Sequence, residues 1–197
     1  MSGEYLPHVS VLLEECLHAL ALGAEGVDAP IFADLTFGAG GHSSALLERF
    51  PGARLVAFDQ DPQAVANGRA LIGARGWSDR ATLVHANFSE FPAWAKANMP
   101  GGFHGVLADL GVSSHQFDQA ERGFSFRADA PLDMRMNPGD SGIATAADLV
   151  NTLPERDLAD LIFKYGEERL SRKIASRIVE KRSERPYRTT AELEETC

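Results

Sequence analysis

The sequence predicts an α/β fold, a parallel sheet flanked by helices, with a helical module after it. Two observations carry this. Four short apolar runs, Ile31–Leu35, Arg54–Phe58, Thr82–Ala86 and Gly105–Leu110, begin 23, 28 and 23 residues apart, the spacing of successive strand–helix–strand units. Helical periodicity fills the gaps between them, and that alternation favours parallel strands with helices on the faces. Ligands of such sheets bind beyond the carboxyl ends of the strands.

Taken in order, Val9, Leu13, Cys16, Leu17 and Leu20 recur at helical spacing and predict a leading amphipathic helix. His42–Phe50 sets Leu46, Leu47 and Phe50 on one side. Asp61 is an N-cap, Pro62 occupies the first helical position, and Val65, Gly68 and Ile72 form the stripe behind it. Ser89–Ala97 is a third, weaker helical pattern. Beyond Leu110 a Gly-, Ser- and Asp-rich stretch runs without a period to about Gly142. Helical patterns then cover Ala144–Asn151, Pro154–Tyr165 and Glu167–Glu184, the last with Leu170, Ile174 and Ile178 as its stripe. Thr189–Glu192 fits a capping box. The expected organisation is therefore a sheet domain over 1–110 and a helical module over 111–197. Four strands are few for this architecture, and a capping box so near the last residue suggests a piece of a longer chain.

A chain of 197 residues with 44% hydrophobic and 24% charged residues is globular in composition. Its net charge of −9 argues against a protein that coats nucleic acid all over. It leaves room for a local basic site. One candidate is the cluster Arg169, Arg172, Lys173, Arg177, Lys181, Arg182, Arg185 and Arg188, broken only by Glu180 and Glu184. It reads either as a solvated helix face or as an RNA-backbone surface. Two cysteines, Cys16 and Cys197, make no disulfide framework, which fits a reducing, cytoplasmic compartment. No apolar run approaches the ~18 residues of a membrane span, and the first residues lack a signal-peptide pattern. Neither a membrane nor a metal is expected as a partner.

The chemistry-bearing residues gather at the ends of the predicted strands. Asp34–Ser43 (Asp-Leu-Thr-Phe-Gly-Ala-Gly-Gly-His-Ser) follows the first, and its glycines allow a sharp turn and close backbone approach to a ligand. Asp59 ends the second strand, where a carboxylate accepts hydrogen bonds from the hydroxyls of an adenosine ribose. Together they point to a nucleoside-type cofactor; the alternative is a tight turn beside a solvated strand end. A carboxylate at Asp34 would repel a pyrophosphate and attract a cation, and Ser43 stands where G-x-G-x-x-G needs its third glycine. Both favour S-adenosylmethionine, with its sulfonium and ammonium, over a nicotinamide dinucleotide. Phe88, after the third strand, is placed to cover an adenine or to serve as ordinary core. Asp109 ends the fourth strand and faces the transferable methyl group, or is merely solvated there.

These motifs, with His8–Glu14, Thr36–Ser43, Asp59–Pro62, Asp109–Ser114, Glu121–Phe126, Pro131–Met136 and Tyr165–Glu168, resemble a known family. The chain is similar to the bacterial small-subunit (16S) ribosomal RNA cytosine-N4 methyltransferases, the methyltransferase H family. The resemblance implies a Rossmann-like class I methyltransferase sheet, incomplete here because the family's later strands are absent, with an inserted helical domain after about residue 111. It also implies S-adenosyl-L-methionine as cofactor, held by Gly40, Gly41, His42, Asp59, Phe88, Asp109 and Gln116. The expected reaction methylates the exocyclic N4 of a cytosine in the decoding region of 16S rRNA, with the small ribosomal subunit as partner. Asp109, or a carbonyl in 110–113, is the expected acceptor of a hydrogen bond from the reacting amine. The Pro-Pro-aromatic run of other amino-methyltransferases is missing after Asp109, which leaves His115, Phe117, Phe124 and Phe126 as candidates to stack the base. Two other readings stay open: a truncated relative that binds cofactor or RNA without catalysis, and a nicotinamide-dependent oxidoreductase.

Overall fold

The computed structural model describes residues 10–197, with Ser114 and His115 described by their backbone alone. Val9 of the leading helical pattern and His8–Val9 of the first motif lie outside the described residues. The chain divides into two compact units, Met1–Ser113 and Ser114–Cys197.

The first unit holds four parallel strands in the order β3-β2-β1-β4: β1 (Ile31–Asp34), β2 (Arg54–Asp59), β3 (Ala81–His85) and β4 (Gly105–Leu107). Its helices are α1 (Leu13–Gly23), α2 (Gly41–Arg49), α3 (Pro62–Ala74) and α4 (Phe91–Asn98). The expected stripes are the buried ones. Leu17 and Leu20, Leu46 and Leu47, and Val65, Gly68 and Ile72 face the core formed with Phe32, Leu55, Ala57 and Leu83. Asp61 caps α3 by accepting a hydrogen bond from Gln63 N at 2.9 Å, as its place before Pro62 predicts. A 3-10 turn, Phe88–Glu90, precedes α4 because Asn87 and Glu90 form their own capping box. The fourth strand ends at Leu107, three residues short of expectation. There the backbone leaves the ladder: Asp109 N donates to the Thr36 hydroxyl at 2.7 Å instead.

The order fixes where a ligand can sit. The chain runs from β1 outward to β2 and β3, then returns so that β4 pairs on the other side of β1. The crevice beyond the ends of β1 and β4 is therefore the topological switch point of the sheet.

The second unit contains α5 (Ser114–Asp118), α6 (Ala146–Thr152), α7 (Glu155–Gly166), α8 (Ser171–Glu184) and α9 (Thr190–Glu194). Neither α5 nor the short 3-10 turn Ala120–Arg122 shows in the sequence, being too brief for a period. Its core is Leu132, Val150, Leu158, Ala159, Ala175, Ile178 and Tyr187. The aperiodic stretch is held by backbone geometry and polar bonds. Gly123 has φ +72, and a Cβ there would meet the Pro131 carbonyl. The Arg122 guanidinium donates to the carbonyls of Arg135 and Met136 at 3.0 and 2.9 Å. Capping boxes at Thr145/Asp148 and Thr189/Glu192 open α6 and α9.

One stripe is corrected. Glu167 takes a left-handed φ of 53, so a turn separates α7 from α8 and Leu170 becomes the residue before the helix. Leu170 is 61% exposed, while Ser171, Ala175 and Ile178 are the buried face of α8.

Candidate functional site

The carboxyl ends of β1, β2 and β4 converge on the glycine loop. Gly38 and Gly40 both have positive φ, +54 and +83, and Gly40 is the N-cap of α2. A Cβ at Gly40 would stand 2.8 Å from the Phe37 ring and 2.9 Å from Leu71, so only glycine fits the turn. The first amides of α2 have no intrahelical acceptor and offer their N–H groups to an anionic ligand group.

Asp59 organises this loop. Its Oδ2 accepts from Gly38 N at 2.7 Å and its Oδ1 from Asp61 N at 2.8 Å. The Gln60 amide bonds the same carboxylate, and the residue is only partly buried. Burial is the main influence on its carboxyl and raises its pKa, helped by the Asp61 charge and opposed by the amides of Asp61, Gly38 and Gln60. Phe88 lies beside it: Ala86 N donates to the Asp59 carbonyl at 3.0 Å, and Asn87 Nδ2 donates to Gln60 Oε1 at 2.6 Å. Phe88 is 42% exposed, so it is not an ordinary core ring.

Asp34 departs from its expected role. Instead of facing a cation in the crevice, its carboxylate is buried and occupied. Ser43 Oγ donates to Oδ2 at 2.6 Å and Thr36 N to Oδ1 at 3.1 Å. This explains Ser43 at the third position of the glycine pattern: its hydroxyl ties α2 back to the end of β1. Burial outweighs these bonds and raises the Asp34 pKa. The folded state therefore favours the protonated acid. Stability from this group is fully present in acid, below the ordinary carboxylate range, and is lost as pH rises through the raised folded pKa. Asp34→Asn, which keeps an acceptor for Thr36 N, is expected to flatten that decline. Urea midpoints taken from about pH 4 to about pH 8 check it; equal pH slopes in the two proteins would contradict the assignment.

His42 and Asp109 meet across the switch point. His42 Nε2 lies 3.0 Å from the Val11 carbonyl, an acceptor only, so Nε2 carries a proton. In the neutral ring Nδ1 is then an acceptor, and it faces Asp109 Oδ2 at 3.9 Å. In the protonated ring the same nitrogen donates toward the carboxylate. The Asp109 side chain is 53% exposed and its backbone is fixed by Thr36.

Six of the seven expected cofactor residues, Gly40, Gly41, His42, Asp59, Phe88 and Asp109, thus stand along one edge of the first unit. Gln116 is buried on α5 of the second unit. Among the stacking candidates, Phe117 and Phe126 are exposed, Phe124 lies with its ring 6.0 Å from the Arg122 guanidinium, and the His115 side chain is outside the described residues. Sequence reasoning missed Thr36, which stitches the loops after β1 and β4 together, although it lies inside the quoted motif. Among the described residues no three His, Cys, Asp or Glu side chains are grouped to hold a metal ion. Nor is any described helix long and apolar enough to cross a membrane.

A model of the MraW methylase family matches residues 5–197. The chain belongs to that family. Ribosomal RNA small subunit methyltransferase H of Heliobacterium mobile is 46% identical to this MraW-family chain over 188 residues, 94% of the chain and 58% of the relative. The protein of the same name from Methylobacterium nodulans is 50% identical over 189 residues, 96% of the chain and 53% of the relative. The chain thus spans less than two thirds of the length of either. Among solved structures, an rRNA methylase from Streptococcus thermophilus has a TM-score of 0.36 at 18% identity, covering 44% of this chain and 49% of that one.

Proposed function

We propose that the chain binds S-adenosylmethionine at the β1/β4 switch point and belongs to an enzyme that methylates the exocyclic N4 of a cytosine in the decoding region of small-subunit rRNA, in the cytoplasm. The observation that carries the reading is the approach of His42 Nδ1 to Asp109 Oδ2, 3.9 Å apart beside the glycine loop of a MraW-family chain.

The residues fit the cofactor. Asp59 is partly exposed and has an acceptor site left for a ribose hydroxyl beyond its backbone bonds, Phe88 presents a part-exposed ring to an adenine, and the first amides of α2 suit a carboxylate. When bound, the cofactor supplies an electrophilic methyl group on a sulfonium. The protein's task is to hold a weakly nucleophilic amine in line with that methyl and to stabilise the charge that develops on it. Asp109 is the assigned acceptor. A base displaced from its stack is the expected substrate form.

Asp34, being buried, no longer argues against a pyrophosphate. The choice of cofactor rests instead on Ser43, whose hydroxyl is committed to Asp34, and on the exposed carboxylate of Asp109. Asp59→Ala removes charge-assisted hydrogen bonds worth ~1.5–3 kcal/mol each. Cofactor affinity is expected to fall by about one to two orders of magnitude, and unchanged binding by calorimetry would remove the ribose role. The reading as a whole is tested with thermal shifts and a transfer assay. S-adenosylmethionine is expected to raise the melting temperature, NAD to leave it unchanged, and labelled methyl to pass to small ribosomal subunits. Stabilisation by NAD alone overturns it.

A further inference from the structure

The Thr36 side chain takes over from the backbone at the point where β4 leaves the sheet. Leu35 N donates to the Leu107 carbonyl at 2.8 Å at the end of the β1–β4 ladder. A parallel ladder continued by one step would send Asp109 N to the Leu35 carbonyl. It goes to Thr36 Oγ1 instead, at 2.7 Å. The residue caught in this way is the strand-end acid that faces His42.

Thr36 is itself held by a group that the reaction does not use. Its N donates to Asp34 Oδ1 at 3.1 Å. Its hydroxyl accepts from Asp109 and so turns its own proton away, toward the same Asp34 oxygen 3.5 Å off. Asp34 is 1% exposed, and its other oxygen accepts from Ser43 of α2 at 2.6 Å. A buried carboxyl bonded by both neighbours is a fixed point. One arm runs from it to the start of α2, beside His42, and the other runs through the Thr36 hydroxyl to Asp109. The chain after Asp109 carries less restraint: Gly111 has φ +150 and open space where a Cβ would stand.

We propose that Thr36 is a positioning residue for methyl transfer, its hydroxyl setting where the Asp109 carboxylate stands while buried Asp34 orients that hydroxyl. The inference rests on the reading of Asp109 as the acceptor that faces the reacting amine. The amine must stand in line with the methyl and against its acceptor, and a misplacement of about 1 Å costs on the order of 10²-fold in rate. Thr36→Val keeps the shape of the side chain and the amide bond to Asp34, so it cuts the Asp109 arm and spares the α2 arm. The loss therefore falls on rate rather than on cofactor affinity.

Two readouts test it, with circular dichroism to check the fold of each variant. The first needs no turnover: deuterium exchange of the Asp109 amide, followed by NMR. Exchange is expected to quicken about fivefold in Thr36→Val, the loss of one ordinary hydrogen bond, and to stay slow in Thr36→Ser, which keeps the hydroxyl. The second is single-turnover transfer of labelled methyl to small ribosomal subunits at saturating cofactor, beside cofactor Kd from calorimetry. Thr36→Val is expected to lose about 10–100-fold in rate at nearly constant Kd, and Thr36→Ser to recover most of it. Thr36→Val combined with Asp109→Asn should be little slower than Asp109→Asn alone, because both changes act on one group. An unchanged rate in Thr36→Val, whether or not the amide exchanges faster, overturns the positioning role and leaves Asp109 as acceptor. So does a loss that multiplies with that of Asp109→Asn, or a weakened Kd with the saturated rate intact. If Asp109→Asn itself transfers at the parent rate, the acceptor reading fails and the positioning role falls with it.

Discussion

Asp109→Asn is expected to slow methyl transfer by about 10²–10³-fold at saturating cofactor, the loss seen when one preorganised group facing transition-state charge is removed. The reason lies in what faces Asp109. His42 turns Nε2 to the Val11 carbonyl and Nδ1 to Asp109, 3.9 Å from Oδ2. A substrate amine placed beside this pair meets the Asp109 carboxylate as positive charge grows on it. An asparagine amide would turn its own N–H toward Nδ1 and fill the gap, and the anion would be gone. The fold should survive, because Asp109 is tethered through its backbone to Thr36 rather than through its carboxylate. The measurement is single-turnover transfer of labelled methyl to small ribosomal subunits with cofactor in excess. Turnover within threefold of the parent would show that the proton acceptor lies elsewhere, a carbonyl of residues 110–113 being the remaining candidate.

Phe58→Ala is expected to destabilise the first unit by about 3–5 kcal/mol, a large part of the ~5–15 kcal/mol that holds a typical domain together. Phe58 is fully buried at the end of β2. Its ring meets Phe91 and Trp94 of α4 edge-on, with centroids 5.5 and 5.4 Å away at 87° and 89°, and Phe91 packs in turn on Phe103 at 5.3 Å. Truncation removes the centre of this cluster and opens a cavity between the sheet and α4. Asp59 is the next residue, so cofactor affinity should fall together with stability. Urea unfolding checks the first effect; a change below about 1 kcal/mol would mean that α4 collapses into the space.

The sequence and the structure agree where the determinants are local. Strand starts at Ile31, Arg54 and Gly105 follow from apolar runs bounded by Pro30, Gly52 and the Gly101–Gly102 pair. Asp61–Pro62 and Thr189–Glu192 open helices through bonds that span two or three residues. The stripe of α3 was legible because thirteen residues show a period, whereas α5, with five, shows none. Leu170 was misplaced by the same logic: the apolar pattern continues through it, and only the left-handed turn at Glu167 shows that the helix has not yet begun.

By itself the sequence determined the element types, the parallel sheet, the glycine loop and the residues that cluster at strand ends, because periodicity, capping and turn chemistry act between near neighbours. Only the tertiary structure decided what each carboxylate does. Asp34, Asp59 and Asp109 look alike as strand-end acids. Ser43 folds back to bury the first, Gly38 and Asp61 lend their amides to the second, and His42 confronts the third. A carboxylate's role depends on which donors surround it and how much water is excluded, and both are set by chain crossings that no local pattern records.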